Sequence, residues 1–406
     1  MKNVYDIKQE RNLNYILPTT HSIGQNSKAN VLIIVHLYYL DTVNIYLRHL
    51  EAVPDNIDVI FTVSDIAMSE ILLQSPIYEN GNCRIIEKQN RGRDVSSFMV
   101  ACRKEILKYD YVCFLHDKKE KSSADKKDTE EWIRSLWENM VGSSSYINNI
   151  LTTFDENPDL GLLVPPFPMS GHFTTAYVNT WFDNFERTRK LAEAMGLVCN
   201  MDEAKPPITL GTVFWAKVPA LKKMFDIPWE YTDFEEEPLK GDGTISHAIE
   251  RIFAYVAQDA GYETGWVMTD NYAAERFEFV QDILRKVFNL LNRSADILHI
   301  EELNRIVKTL EFTDKYKKFY IYGAGIRGQK CLEALKKFGK EPDAFLVSDI
   351  NSNPSNIQGI PVFALDEIEL NPYCGIIVGV SEQFQKEVQQ TIERKFPQFT
   401  NMYVYS

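Results

Sequence analysis

The sequence predicts an α/β protein: a large first domain on a mostly parallel sheet, a helical linker, and a second, smaller α/β domain. Three observations predict it. Between Asn30 and Leu115, short apolar runs alternate with amphipathic stretches, giving a βαβαβαβ order over about 90 residues. From Glu275 to Phe312, Leu and Ile recur at helical spacing and no glycine interrupts them. From Lys317 the strand–loop–helix alternation starts again. At 406 residues the chain is too long for one ordinary domain. The expected division is an N-terminal extension at 1–29, a first domain at 30–272, the linker at 273–316 and the second domain at 317–406.

The elements follow in order. Residues 1–29 are polar and without clear periodicity, which reads as a loosely docked extension. Asn30 to Tyr39 is a buried strand with His36 and Tyr38 near its carboxyl end. Thr42 to Val53 is an amphipathic helix with Val43, Tyr46, Leu47 and Leu50 on one face. Ile57 to Val63 is a second strand, ending in Ser64-Asp65, and a helix around Met68 to Leu73 follows.

Cys83 to Lys119 is the centre of the chain. A short strand, Cys83 to Glu87, leads into the loop QNRGRD. Asp94 can cap a helix whose Val95, Phe98, Met99, Cys102 and Ile106 fall at helical spacing. Tyr111 to Leu115 is apolar throughout, as a strand covered on both faces should be, and ends abruptly in His116-Asp-Lys-Lys119. Open α/β sheets bind ligands at the carboxyl ends of such strands, so both polar clusters fall where chemistry is expected.

The charged run after Lys119 reads either as a solvated loop or as a loop that closes over a ligand. Helices are expected at Trp132 to Val141, Tyr146 to Phe154 and Trp181 to Met195, with strands at Leu160 to Val164 and Gly211 to Lys217. Pro219 can open a short helix. The Gly-rich turn at Gly241 opens a helix that Gly261 ends. In the second domain, Phe319 to Tyr322 is a strand and Gly323-Ala-Gly-Ile-Arg-Gly328 a GxGxxG loop. Gln329 to Phe338 is a helix, and strands follow at Ala344 to Val347 and Gly375 to Gly379. This unit is Rossmann-like, but at about 90 residues it is only part of a dinucleotide-binding fold.

Composition limits the function. A net charge of −13 argues against a broad grip on nucleic acid or anionic lipid, while leaving room for a local phosphate site. Six cysteines without CxxC or His/Cys pairing suggest neither zinc nor a disulfide framework, and fit reduced thiols in the cytoplasm. The N-terminal segment is charged and polar, so no signal peptide is expected. No apolar run approaches the roughly 20 residues that span a bilayer, so work at a membrane would be peripheral.

Each motif has a chemical and a plainer reading. In Asn90-Arg91-Gly92-Arg93-Asp94 the guanidinium groups can hold a diphosphate and the carboxylate can accept from a ribose or sugar hydroxyl. The plainer reading is a helix cap with surface charge. His116 can act as a general acid, and Lys118 and Lys119 as a phosphate clamp. His116 and Asp117, adjacent at a strand end, point to opposite faces, which weakens the case for a metal. Asp242 lies in a loop from which a carboxylate can deprotonate an acceptor hydroxyl, or else join an N-cap network. His247 and Glu250 share one helical face. Gly323, Gly325 and Gly328, with Asp349 about 20 residues beyond, fit a nucleotide's phosphate and ribose, or close strand–helix packing alone. A dehydrogenase would need a second, catalytic domain with a hydride acceptor site, so oxidoreductase activity is not expected.

The sequence resembles the rhamnan synthesis F family of bacterial cell-surface polysaccharide proteins. The resemblance is carried by Val35-His-Leu-Tyr-Tyr39, Asn90-x-Gly-Arg-Asp94, Tyr109-Asp-Tyr-Val112 with Leu115-His-x-Lys118, Gly211-Thr-Val-Phe-Trp215 and Asp242-Gly-Thr-x-x-His-Ala-Ile-Glu-Arg251. It covers about residues 30–270. It implies a GT-A-like glycosyltransferase domain that moves a sugar, rhamnose being one option, from a nucleotide-diphosphate donor (a dTDP- or UDP-sugar) to a glycan or lipid-linked acceptor. Donor contacts are then expected at His36, Tyr38, Ser64, Asp65, Asn90 to Asp94, Lys118 and Lys119, with Trp215, His247 and Glu250 near the substrate. Asp242 is expected as the general base of an inverting displacement, with His116 beside it. Where such enzymes carry Asp-x-Asp, this chain has His-Asp-Lys, which puts dependence on a divalent metal in question. In that reading a cation at Lys118 or Lys119 neutralises the leaving diphosphate. Other enzymes of polysaccharide synthesis are the expected partners, at the inner face of the membrane. The alternative is a non-catalytic sugar-nucleotide- or glycan-binding scaffold of the same pathway.

Overall fold

In the computed structural model the described residues are 14–80, 82–119, 126–167, 181–199, 201–204, 209, 211–239, 241–290 and 300–405. The chain divides into two compact units, residues 1–279 and 280–406.

The first unit is built on eight strands: β1 (Asn14–Leu17), β2 (Val31–Leu37), β3 (Asp58–Val63), β4 (Cys83–Glu87), β5 (Tyr111–His116), β6 (Leu160–Val164), β7 (Phe214–Lys217) and β8 (Glu263–Thr269). Their order is β1-β8-β6-β7-β5-β2-β3-β4. All neighbours pair in parallel except β7, which runs antiparallel to both β5 and β6. Every residue of β2 is buried. The period of two along a strand explains how. Leu32 and Ile34 enter one core with helices Arg93–Ser96, Arg103–Ile106 and Ile245–Asp259. Ile33, Val35 and Leu37 enter the other, with helices Val43–Leu50, Lys126–Val141 and Ser144–Glu156.

Phe98 sits at the centre of the first core, with ring centroids 5.1 Å from Phe114, 5.3 Å from Phe214, 5.6 Å from Phe225 and 5.9 Å from Phe253. Truncating such a residue to alanine removes about 3–5 kcal/mol of stability. The helix that carries Phe98 is wound more loosely at Ser97–Ala101, where Cys102 N–H donates to Ser97 O five residues back at 2.9 Å.

Three expectations change here. Residues 14–17 are not part of a loosely docked extension: they form β1, which pairs with β8 from Asn14↔Trp266 to Leu17↔Thr269. A four-residue edge strand has too few positions to show a period, and its partner lies at the far end of the unit. The strand expected over Gly211 to Lys217 is regular only from Phe214, because Gly211 (φ 98°) and Thr212 (φ 52°) take left-handed conformations. The expected helix start at Trp181 moves to Phe185, and the segment 168–180 before it lies outside the described residues.

In the second unit six strands pair in the order β11-β12-β10-β9-β13-β14: β9 (Lys318–Tyr322), β10 (Ala344–Val347), β11 (Asn356–Ile357), β12 (Ile360–Ala364), β13 (Cys374–Val378) and β14 (Met402–Val404). Only β11–β12 is antiparallel. Phe319, Ile321, Phe345 and Ile377 face one core, and Tyr320, Tyr322, Leu346 and Val378 the other. The linker region forms helices Asp270–Leu290 and Ile300–Asp314.

Candidate functional site at the carboxyl edge of the large sheet

Because β2, β3, β4 and β5 run in parallel, their carboxyl ends gather on one edge. The reversed β7 brings the residues before it to the same edge, with Phe214 opposite Phe114. The left-handed pair Gly211-Thr212 thus arrives beside His116. A second left-handed pair, Gly92 (φ 73°) and Arg93 (φ 46°), enters the helix that starts at Arg93. For Thr212 and Arg93 this conformation carries strain, which folded proteins concentrate at working sites.

His116 is buried between acceptors. Its Nε2 lies 2.6 Å from Gly211 O and its Nδ1 2.8 Å from Asp117 O, so both ring nitrogens face carbonyl oxygens that only an N–H can satisfy. Asp94 Oδ2 stands 4.0 Å from Nε2. Burial pushes the Asp94 carboxyl up, but the facing His116, its own backbone N–H and the Lys118 charge hold it below the ordinary carboxylate value. Gly211 N–H in turn donates to Glu250 Oε1 at 2.7 Å. His116 and Glu250 are thus part of one network, though Glu250 holds backbone there.

His36 is 3% exposed, with Nδ1 3.1 Å from both Thr62 O and Thr62 Oγ1. Burial, then the nearby Lys88 charge, lowers its pKa to about 3, so it is neutral at physiological pH. Asp117 turns the opposite way from His116, as strand alternation requires. Its Oδ2 accepts from Tyr38 N–H and Tyr39 N–H at 2.7 Å each, fixing the loop after β2. Burial holds Asp117 above the usual carboxylate value despite those two bonds. Sequence reasoning passed over this clamp, since its two backbone partners lie in the loop after β2, 79 and 78 residues away along the chain.

Around that loop, Tyr38, Tyr39, Leu40, Asp41, Ser64, Asp65, Ile66 and Asn90 line a groove of about 410 Å³. Four expected contacts therefore meet there: Tyr38, Ser64, Asp65 and Asn90. Tyr38 is 46% exposed and stands edge-on to Tyr39, with ring centroids 5.1 Å apart. Asp65 caps helix Ile66–Leu73 through Ala67 N–H at 2.9 Å. Ser64 Oγ is buried and, among the described residues, has no hydrogen-bond partner. Lys119 pairs with Asp41, and Lys118 Nζ lies 3.0 Å from the centroid of the Trp132 ring.

Other expected contacts are committed to the fold. Arg91 donates through Nε to Phe234 O at 2.7 Å and through a terminal nitrogen to Thr232 O at 3.3 Å, and pairs with Glu236 at 3.5 Å. Its fork ties down the acidic segment, residues 231–237, and cannot at the same time clamp a diphosphate. Gly92 is needed for packing as well as for its φ: a Cβ there would come within 2.6 Å of the Phe234 ring. Arg93 pairs with Glu237 at 3.2 Å. Trp215 is fully buried, donating to Met140 O at 2.9 Å, and lies out of reach of a ligand. The aromatic pattern at 211–215 reports core packing on β7.

Asp242 is held on three sides. Oδ1 accepts from Asn184 Nδ2 at 2.6 Å, Oδ2 accepts from Asp183 N–H at 3.1 Å, and Arg251 lies 3.9 Å away. Burial alone would raise its pKa, but these groups hold it below the ordinary value, so it is ionised at neutral pH. His247 Nδ1 meets Thr244 Oγ1 at 2.7 Å and closes the first turn of helix Ile245–Asp259. The N-cap network at this turn is thus made by Thr244 and His247.

Lys88 is a residue that sequence reasoning missed. It follows β4, is 8% exposed, and its Nζ has no hydrogen-bond partner among the described residues. Burial lowers its pKa to about 8, against the pull of Asp94 and Glu237. Nothing in the local pattern EKQN sets a buried lysine apart from a surface one.

In the second unit, a Cβ on Gly328 would lie 1.9 Å from Gly323 O, while one on Gly325 would meet nothing within 4 Å. Gly328 is thus a packing glycine at the start of helix Ile326–Lys336. Asp349 is taken by its own turn, accepting from Ser352 Oγ at 2.5 Å and Asn351 N–H at 3.0 Å. A ribose would have to compete with those bonds.

Among the described residues no group of three or more His, Cys, Asp or Glu side chains is placed to hold a metal ion. No described helix is long and apolar enough to cross a membrane. The six cysteines are free thiols.

Two Xanthomonas campestris pv. campestris proteins, both described as uncharacterized protein WxcX, from strains B100 and ATCC 33913, are each 25% identical to this chain over 232 residues. The match covers 57% of this chain and 32% of each relative, so the chain spans about a third of the length of the curated relatives it matches. The family model for rhamnan synthesis protein F matches residues 1–262, the greater part of the chain and nearly all of the first unit. The chain belongs to the rhamnan synthesis protein F family.

Proposed function

We propose that the first unit is a GT-A-like glycosyltransferase of surface-polysaccharide synthesis, taking a nucleotide-diphosphate sugar and a glycan or lipid-linked acceptor. The observation that carries this is the strand-end edge itself. An open groove with an exposed tyrosine adjoins a buried set of charged groups, and both lie where α/β sheets bind nucleotides. Tyr38 offers a ring for a base to stack on, and Asp65 and Asn90 offer polar contacts to it. The leaving diphosphate meets positive charge from Lys118 or Lys119. Asp242, ionised and partly exposed, takes the proton of the acceptor hydroxyl as that oxygen attacks the anomeric carbon and the nucleoside diphosphate departs, inverting the centre. Rhamnose is the donor sugar that the family's name suggests. The work is placed at the cytoplasmic face of the membrane, beside other enzymes of the pathway.

The test is calorimetry of UDP- and dTDP-sugars against the full chain, with and without a divalent metal, followed by an assay for nucleoside diphosphate release. Binding with release upon adding acceptor supports the transferase; no binding to any donor overturns it. A second reading, a non-catalytic sugar-nucleotide- or glycan-binding protein, draws on the commitment of Arg91 to the acidic segment. It predicts binding without release under every acceptor condition.

A further inference from the structure

Lys88 and Ser64 stand next to each other at the ends of neighbouring strands. The β3–β4 ladder ends with Val63↔Glu87, and Lys88 N–H continues it by donating to Val63 O at 2.8 Å. One step beyond that last pair, each strand presents a side-chain donor whose polar atom is buried and, among the described residues, without a hydrogen-bond partner: Ser64 Oγ and Lys88 Nζ. An ammonium carries three donors, and leaving them unmet in the interior is among the most unfavourable arrangements a fold can hold.

The surroundings do not satisfy it. Charged and titratable groups reach Lys88 from each neighbouring element: His36 from β2, Asp94 from the helix after β4, and Glu237 and Tyr231 from the acidic segment. Glu237 is engaged by Arg93 and Asp94 faces His116, while the Tyr231 ring centroid is 6.0 Å from Nζ. The charge is therefore held at the site without a carboxylate bound directly to it.

We infer that Lys88 and Ser64 form an anion site for a diphosphate group, Lys88 supplying the charge and Ser64 a neutral donor. Phosphoryl oxygens accept several hydrogen bonds at once, which suits one ammonium and one hydroxyl converging from adjacent strands. This inference rests on reading the edge as a ligand site and extends it to a residue outside the polar motifs of the sequence. The diphosphate belongs either to a nucleotide sugar or to a lipid-linked acceptor.

The experiment is calorimetric binding to the full chain of inorganic diphosphate, UDP, uridine and farnesyl diphosphate, in wild type, Lys88→Met, Lys88→Arg and Ser64→Ala. Thermal melting of each variant verifies that it is folded. Lys88→Met is expected to weaken inorganic diphosphate by at least about tenfold, with Lys88→Arg recovering part of the loss. Ser64→Ala is expected to weaken it by about threefold. A Lys88-dependent loss with UDP but not uridine assigns the site to the donor; one with farnesyl diphosphate assigns it to the acceptor. Unchanged diphosphate affinity in folded Lys88→Met overturns the inference, as does an equal loss for uridine and UDP. Should wild type bind inorganic diphosphate through Lys88 but no nucleotide sugar, the transferase reading fails while the anion site stands.

Discussion

His116 and Glu250 are joined through Gly211, whose carbonyl accepts from His116 Nε2 at 2.6 Å and whose N–H donates to Glu250 at 2.7 Å. One left-handed residue thereby locks the end of β5 to helix Ile245–Asp259. Removing either side chain leaves a backbone group of Gly211 unpaired. His116→Ala and Glu250→Ala are each expected to reduce stability by about 1–3 kcal/mol, and Glu250→Gln, which keeps an acceptor, by less. All six tryptophans lie in the first unit, so urea unfolding followed by tryptophan fluorescence reads it alone. Unaltered midpoints for both alanine variants would show the network to be inconsequential.

Asp242 separates binding from turnover. Asp242→Asn keeps an oxygen for Asn184 but can no longer take a proton. Donor affinity is expected to be unchanged and nucleoside diphosphate release to fall by about 10²–10⁴-fold. Turnover within a factor of two of wild type would remove Asp242 from the base role.

His36 couples stability to acid. Its folded pKa is lowered to about 3 from an ordinary value of 6.5, so on acidification the unfolded chain takes up the proton first. Stability from this group is complete above about pH 6.5 and falls as pH drops towards 3, by up to about 1.4 kcal/mol per pH unit. Asp117, held above the ordinary carboxylate value, titrates with the opposite sign, so the informative quantity is wild type minus variant. His36→Gln is expected to flatten the slope between pH 6 and 4 relative to wild type, as measured by urea midpoints at successive pH values.

Lys88 couples stability to base. Its pKa is lowered to about 8 from 10.5, so between these values the unfolded chain holds the extra proton and stability rises with pH. Below pH 8 the buried charge opposes folding in full. Lys88→Met is expected to be more stable than wild type at pH 7, on the order of a few kcal/mol, with the difference shrinking by pH 10.5. A less stable variant at pH 7 would mean that the ammonium is satisfied in the folded protein.

The glycines of the second unit divide by the space around them. Gly328→Ala forces a methyl against Gly323 O and is expected to lower the stability of that unit by on the order of 3 kcal/mol. Gly325→Ala enters open space at an ordinary φ and is expected to be nearly neutral. Hydrogen exchange of β9 and β13 amides distinguishes the two; equal protection in both variants would contradict the close packing.

The apolar runs of β2, β3 and β5, the periodic helix faces and the strand–GxGxxG–helix start of the second unit are local patterns, and the sequence alone determined them. Period and burial are properties of consecutive residues. So is the position of Ser64, Asn90 to Asp94 and His116 at strand ends. Tertiary structure decided what each of those groups does. Arg91 and Arg93 sit side by side in one motif, yet Arg91 is spent on Phe234 and Thr232 backbone, because the acidic segment folds back over it. Trp215 shares a motif with Gly211 but alternates into the core, whereas Gly211 turns to the edge. β1 exists only by pairing with β8, a strand at the other end of the unit that no local signal announces. Lys88 is ordinary in sequence and exceptional in place. Its charge becomes consequential only when β2, the helix after β4 and the acidic segment close around it and remove the water that would otherwise solvate it.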